Sequence, residues 1–300
     1  MISSVKRVFR SPMLLLVHFF NRKPFCFLIS DKNWLKLMFY AYHQKKLNLS
    51  NPQTFNEKLQ WLKLYDRKPE YRIMSDKYAV RKYVSEKIGE EYLIPLLGVW
   101  DNVDDIDFFS LPKQFVLKCN HDSAGIIVCK DKDRLDVEKT KRKLRKCLNR
   151  DYFWAGREDN YRVSKKRIIA EKYMTDGDKD ELTDYKFFCF NGVPKYIQVD
   201  SGRFSKHIRN FYDVSWNFID VQNGCVNDKN HIIPCPQNLN DMLKIVRKLS
   251  ENFLHVRVDL YNVNNKIYFG ELTFHHGGGV MRFVPESYDY EWGSCLNIHR

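Results

Sequence analysis

Arg257-Val258-Asp259 and Glu271-Leu272-Thr273 set a guanidinium, two carboxylates and a hydroxyl at alternate positions of two apolar runs. The runs are rich in β-branched and aromatic residues and are joined by an Asn-rich turn, which predicts an antiparallel hairpin over residues 256–273. Period-2 alternation sends Val256, Val258, Leu260, Tyr268, Gly270 and Leu272 to the core face. Arg257, Asp259, Glu271 and Thr273 then share the other face. A turn centred on Asn264 or Asn265 brings Asp259 opposite or diagonal to Glu271. Two carboxylates at that separation repel unless a cation lies between them. Hard oxygen ligands with open positions suit magnesium carrying substrate phosphates. Arg257 adds a bidentate donor for the same phosphates. A solvated hairpin face with a surface Arg-Asp pair is the competing reading.

A second group lies upstream. Residues 115–129 read as strand, small-residue loop and strand, with Lys118 near the end of the first apolar run. An ammonium there needs an anionic partner, because an isolated buried one is expensive. Ser123, Ala124 and Gly125 let backbone N–H groups approach a phosphate. The chain has no G-x-x-x-x-G-K-[ST] loop, and a salt-bridged lysine beside a plain turn explains the pattern equally.

The elements that must position these groups are legible around them. Residues 55–65 repeat Phe55, Leu59 and Leu62 at helical spacing behind Asn51-Pro52-Gln53-Thr54. A helix from Ser75 runs to a C-cap at Gly89, and an extended segment begins at Tyr92. Residues 167–174 read as a buried strand entering a polar loop at 175–180. Residues 184–190 and 193–199 form a hairpin about Asn191-Gly192, and 239–252 is a further helix. The basic stretch 134–149 reads as a solvated helix face; no nucleic-acid motif accompanies it.

The 300 residues carry a net charge of +13 with 15% aromatic residues, too aromatic for a disordered tail. The charge asks for an anionic partner without choosing one. Eight cysteines without a C-x-x-C pair, several inside apolar runs, suit buried thiols of a cytoplasmic protein. At the start, Lys6, Arg7 and Arg10 precede Met13-Leu14-Leu15-Leu16, and a second amphipathic segment spans residues 34–42. The first apolar run is too short to span a bilayer. The pair are expected to be ordinary helices packed on the body, with a peripheral membrane contact through residues 1–45 as the alternative.

Taken in order, Asp76-Lys77, the Lys118 to Gly125 segment, Glu171-Lys172-Tyr173, Arg257-x-Asp259 and Glu271-x-Thr273 resemble the ATP-grasp superfamily. The runs Phe55-Asn56-Glu57-Lys58-Leu59-Gln60-Trp61, Lys118-Cys119-Asn120-His121-Asp122 and Asp184-Tyr185-Lys186-Phe187-Phe188-Cys189-Phe190-Asn191-Gly192 resemble its TupA-like branch, named for teichuronopeptide biosynthesis, over about residues 48–285.

The resemblance implies an α+β ATP-grasp fold, two subdomains sandwiching ATP. Its expected parts are a basic helical segment (1–50), a helical region (51–113), a small lid (114–175) and a core with the metal site (176–300). It implies that Lys77 and Lys118 hold ATP phosphates and that the loop with Ser123, Ala124 and Gly125 closes over them. Glu171, Lys172 and Tyr173 would meet adenine, and Asp184 or Lys186 ribose or phosphate. Asp259 and Glu271 would ligate magnesium, with Arg257 beside the transferred phosphoryl group. Thr273 stands where the family carries Asn. A hydroxyl is still an oxygen donor, but it leaves the number of ions, one or two, open.

The implied reaction joins a carboxylate to an amine through an acylphosphate, with positioning and charge neutralisation as the protein's contribution. The namesake pathway points to an amino acid or amine and an acidic sugar of a cell-surface polysaccharide. Two other classes stay open: a sugar transferase of capsule or lipopolysaccharide assembly, which turns over nucleotide-sugar without releasing ADP, and a non-catalytic anion- or membrane-binding module, indifferent to neutralisation of Asp259 and Glu271.

Overall fold

The computed structural model describes residues 12–21, 25–122, 125–175, 182–202 and 207–298. Lys6, Arg7, Arg10, the loop residues Ser123 and Ala124, and most of the polar loop after Thr175 lie outside the described residues.

Helices α1 (Pro12–Phe20) and α2 (Asp31–His43) pack on each other through Val17, Trp34, Leu35 and Phe39. They also pack on the body: the Trp34 indole N–H donates to Ala155 O (3.0 Å), and the Arg157 guanidinium lies over the Trp34 ring. Among the described residues no helix is long and apolar enough to cross a membrane.

Helix α3 (Phe55–Tyr65) starts at a capping box in which Thr54 and Glu57 satisfy each other's backbone N–H groups. After α4 (Glu70–Ser75), Asp76 accepts from the N–H groups of Tyr78 and Ala79 and so starts α5 (Val80–Ile88), which ends at Gly89 with φ +115°. The helix expected from Ser75 is therefore broken: Asp76 turns the chain before α5 begins.

A four-stranded antiparallel sheet follows. It comprises β1 (Leu96–Trp100), β2 (Phe115–Cys119), β3 (Ile127–Cys129) and β4 (Ile168–Lys172), ordered β1-β4-β2-β3. It thus draws a strand from residues 96–100, ahead of the segment read as the small lid. Between β3 and β4 lie α6 (Val137–Leu148) and the single turn α7 (Phe153–Gly156). The basic helix α6 is amphipathic and seals the sheet with Leu144 and Cys147.

The larger sheet has six antiparallel strands: β5 (Asp184–Phe190), β6 (Val193–Ser201), β7 (Ile208–Asp213), β8 (Phe218–Ile219), β10 (His255–Val263) and β11 (Lys266–Thr273). Their order is β11-β10-β5-β6-β7-β8, while β9 (Gln222–Asn223) pairs with β12 (Phe283–Val284) apart from it. The Asn191-Gly192 turn closes β5 on β6 with both residues at positive φ. One face packs on α8 (Leu239–Ser250), which buries Met242, Leu243, Val246 and Leu249 against Phe187, Ile197, Val256 and Val258. Each such side chain contributes roughly 1.5–3 kcal/mol before the entropy of ordering it.

The opposite face is divided. Phe188, Phe190, Tyr196 and Phe211 pack on Phe55 and Leu59 of α3 and on Trp292 of α9 (Ser287–Cys295). His255 sits in this aromatic half with ring centroids of Phe55 and Phe190 at 5.0 and 5.3 Å, its Nδ1–H donating to Cys189 O (2.8 Å). Burial lowers its pKa to about 3. The imidazole is therefore neutral when folded and protonates near its ordinary value of about 6.5 when unfolded. A group whose folded pKa is depressed gives stability that is complete above the unfolded pKa and is lost as pH falls towards the folded one. Denaturation between pH 7 and pH 4 should show a decline in stability of a few kcal/mol at about 1.4 kcal/mol per pH unit, flattened in His255→Gln. An equal slope in the variant would remove His255 as the cause.

Candidate functional site

The other half of that face is polar. Period-2 alternation puts Arg257 and Asp259 of β10 beside Asp184 and Lys186 of β5, with Gln198 and Asp200 of β6 beyond them. On the other side, Asp259 is directly opposite Glu271, and Arg257 opposite Thr273.

That register depends on Gly270. The two-residue turn sets Asn264 and Asn265 at φ 51° and 61° and Val263 opposite Lys266. Uninterrupted pairing from there would put Gly270 opposite Asp259 and aim Glu271 at the core. A β-bulge between Leu260 and Asp259 takes up Gly270 as the extra residue, and Glu271 returns to the polar face. A Cβ on Gly270 would lie 3.0 Å from Asp259 O, so the bulge needs a glycine to bring the strands together. It also corrects the expected core face: Ile267 and Phe269 are buried, whereas Tyr268 is half-buried and Gly270 is the bulge.

Arg257 organises the cluster. Its Nε and Nη2 donate to the two Asp259 carboxylate oxygens, both at 2.6 Å, and Nη2 also reaches Thr273 Oγ1 (3.0 Å) and Glu271 Oε1 (3.3 Å). Lys186 Nζ lies between Asp184 and Asp259, 2.9 Å from Asp259 Oδ2. Burial disfavours the Arg257 charge, but Asp259 outweighs it and raises the guanidinium pKa. Burial likewise disfavours the Glu271 carboxylate, and Lys77, Arg257 and Lys186 together hold its pKa below the ordinary range. Three cations (Lys77, Lys186, Arg257) thus face three carboxylates (Asp184, Asp259, Glu271).

Lys77 spans the two sheets: its Nζ donates to Asp122 O (3.0 Å) and lies 3.8 Å from Glu271 Oε2. It is held there because its N–H donates to Asn120 O, while Asn120 Nδ2 donates to Asp76 Oδ2 (2.6 Å). Lys118 is elsewhere. Its Nζ is 2.5 Å from Glu171 Oε2, and Arg81 approaches the other Glu171 oxygen at 3.6 Å. No ion pair among the described residues joins this pair to the Arg257 cluster. Glu171 and Lys172 are within β4, where the Lys172 N–H donates to Pro95 O; Tyr173 follows the end of the strand. Gly125 lies in the loop that leads from β2 to β3, close to Cys147 of α6.

After β11 the chain forms a left-handed turn with Gly277, Gly278 and Gly279 all at φ between 55° and 64°. Side chains at three such positions in succession are strained. The carbonyls of Gly278 and Gly279 accept from Gln60 Nε2 (3.0 and 2.7 Å), and Gly278 O also from Lys63 Nζ (2.7 Å). Burial lowers the Lys63 pKa against the pull of Glu158, whose carboxylate also lies 3.6 Å from His275 Nδ1. His276 Nδ1 accepts from Arg257 Nη1 (2.9 Å), which leaves Nε2–H to donate to Asn223 Oδ1 (2.8 Å). Burial, then Arg257, holds His276 neutral.

The residues missed by the sequence reading are Gln60, Lys63, Glu158, Gln198, Asp200, Arg209 and Asn223. Gln198 and Asp200 did carry a signal: polar side chains at period 2 in an apolar strand, in step with Asp184 and Lys186 next to them.

The TupA-like ATPgrasp family model matches residues 57–297, most of the chain. The chain belongs to the TupA-like ATP-grasp family. Solved structures similar to this TupA-like chain include a D-alanine–D-alanine ligase from Bacillus anthracis complexed with ATP, at 16% identity and TM-score 0.40 over 67% of this chain and 54% of that one. An N5-carboxyaminoimidazole synthetase from Staphylococcus aureus complexed with ADP aligns at 14% identity and TM-score 0.43 over 82% and 57%. An L-amino acid ligase from Bacillus licheniformis aligns at 11% and 0.43 over 84% and 57%. The TupA-like chain spans about half the length of the solved structures it matches. No curated protein matches it. The family assignment rests on the sequence match alone.

The donor chemistry fits a magnesium ion: two carboxylates in direct register and a hydroxyl 3.3 Å from Glu271 Oε1 are hard oxygen groups on one face. Among the described residues no group of three or more His, Cys, Asp or Glu side chains could hold a metal ion. Magnesium usually takes one or two carboxylates from a protein and its remaining positions from water and substrate phosphates.

Proposed function

We propose that this protein is an ATP-dependent carboxylate–amine ligase that forms an acylphosphate and releases ADP. The observation that carries the reading is Arg257 held across Asp259, Glu271 and Thr273, with Lys186 and Lys77 closing on the same carboxylates. Asp259 and Glu271, with Thr273 beside them, are the residues that hold magnesium, which when bound neutralises phosphate charge. Arg257 and Lys186 are fixed donors for the transferred phosphoryl group, arranged before the reaction begins. Lys77 and Lys118 bind phosphates from the small-sheet side. We assign the covering of those phosphates to the loop with Ser123, Ala124 and Gly125, and contact with adenine to the edge formed by Glu171, Lys172 and Tyr173 at the end of β4. The left-handed glycine turn, held from behind by Gln60 and Lys63 and closed by the Gly278 N–H donating to His275 O (2.9 Å), is assigned to the acylphosphate end of the site.

The substrates we assign are an acidic sugar of a cell-surface polysaccharide as carboxylate and an amino acid or amine as acceptor. A polyanionic glycan matches the basic balance of the chain. ADP release against a panel of uronic acids and amino acids tests this directly, and added salt should raise the KM for a uronate oligomer more than for a free amino acid. ADP formed with amino acids alone, with no response to any uronate, would make the protein a peptide ligase. Leu15, Leu16 and Phe19 on α1 are exposed, as are Phe27 and Leu28. A peripheral contact through them predicts co-sedimentation with anionic vesicles, lost in Leu16→Asp/Phe19→Asp.

Lys118→Ala separates nucleotide binding from fold. Arg81 remains beside Glu171, so the melting temperature should change little, while ATP affinity should fall about 100-fold, the equivalent of one charged phosphate contact of roughly 2–3 kcal/mol. Calorimetric titration and thermal denaturation of the same sample check both. Unchanged affinity with a large stability loss would leave Lys118 as the partner of Glu171 alone.

A further inference from the structure

At the β6–β7 side of the polar face, three side chains stand in line that the ligase reaction does not use. His207 Nε2 is 3.0 Å from Asp200 Oδ1, and Cys225 Sγ is 3.3 Å from His207 Nδ1. An ionised carboxylate only accepts, so Nε2 carries the proton and Nδ1 turns its lone pair to the thiol. Asp200 is buried and held from two strands: Gln198 Nε2 donates to Oδ2 (2.8 Å) and Arg209 Nε to Oδ1 (2.8 Å). Carboxylate, imidazole and thiol in this order are an orienting group, a base and a nucleophile.

The cysteines differ in setting. Cys26, Cys119, Cys129, Cys147 and Cys189 are buried. Of the three that solvent reaches, Cys295 contacts the Tyr196 hydroxyl and Cys235 the Pro236 carbonyl, whereas Cys225 meets an imidazole. Its place in the fold ties it to the phosphoryl end of the site. Asn223, two residues earlier, accepts from His276 Nε2, and His276 accepts from Arg257. Arg209 joins the two groups from the other side, donating to Asn223 O (2.7 Å) as well as to Asp200. Gly224, at φ +81°, makes the turn between Asn223 and Cys225.

We propose that Cys225 is an acyl-accepting nucleophile, with His207 as its base and Asp200 as the positioning residue. The thiol proton passes to His207 Nδ1, and the sulfur attacks the carbonyl carbon of an acylphosphate. An S–C bond forms, the C–O bond to the phosphoryl group breaks, and phosphate leaves with the electron pair and takes the proton from His207. The amine then attacks the thioester; a C–N bond forms, the C–S bond breaks, and the amine proton returns through His207 to sulfur. The acylphosphate comes from the ligase reading, and the thiol chemistry is testable without it.

The test uses the full chain with p-nitrophenyl acetate and no ATP. The expected result is a burst of about one equivalent of p-nitrophenolate per chain, with the acetyl group on the Cys225 peptide by mass spectrometry. Cys225→Ala should abolish the burst. His207→Gln, with an unchanged melting curve, should slow it about 100-fold, the usual share of a positioned base. Acetylation of Cys235 or Cys295 at the rate of Cys225, or a burst that His207→Gln leaves unchanged, overturns the proposal. The ligase reading fails separately, by absence of ADP release from ATP with every carboxylate tried, and that result does not alter the burst.

Discussion

Glu271→Gln should lower ATP turnover by about 100-fold or more while the melting temperature stays close to that of the parent protein. The side chain is 38% exposed and meets Arg257 only at 3.3 Å and Lys77 at 3.8 Å, so neutralising it costs the fold less than at Asp259. For turnover it removes one of the two carboxylates in register, and one fixed electrostatic group at a reacting centre is typically worth 10²–10³ in rate. Asp259→Asn should be as damaging to turnover, but it should also lower stability. Asp259 is buried and accepts both arms of Arg257 and the Lys186 ammonium, and removing one partner of a buried ion pair costs about 3–5 kcal/mol. Glu271→Gln is therefore the decisive variant. Parental ADP release from it would remove the metal assignment, whatever Asp259→Asn does.

Gly293→Ala should lower stability through backbone overlap, with no charge lost. Gly293 lies where α9 crosses the start of α3, and a Cβ there would sit 2.1 Å from Gln53 O and 2.9 Å from Phe55 N and Thr54 C. These are backbone atoms of the capping turn, which cannot rotate aside as a side chain would. Lys58 Nζ also clamps the crossing by donating to Gly293 O and Leu296 O, both at 2.7 Å. Alanine gains about 1 kcal/mol in helix propensity, but overpacking costs about 1–3 kcal/mol and more where backbone must move. We expect a net loss of about 2–3 kcal/mol in urea denaturation. The site should weaken as well, because α3 carries Gln60 and Lys63, which hold the glycine turn. A variant that melts at or above the parent temperature would show that α9 slides without cost.

The sequence by itself determined the local elements. Thr54 with Glu57 marks the start of α3, the Asn191-Gly192 and Asn264-Asn265 turns mark the two hairpins, and apolar periodicity marks α8. Each is set by groups within a few residues, so neighbouring side chains and backbone suffice to specify it. Alternation also placed Arg257 and Asp259 on one face. Tertiary structure decided how those faces meet. Gly270 permits a bulge within its strand but does not by itself require one, and in the folded sheet it turns Glu271 from the core to Asp259, because a one-residue slip reverses every later side chain. Lys118 was read with an open partner, and the partner seen here, Glu171, lies 53 residues away on the neighbouring strand. The Cys225–His207–Asp200 line draws on groups that become neighbours only after β6, β7 and the turn past β9 have packed. Contacts of this kind depend on strand order and register, which the period of a single strand does not contain.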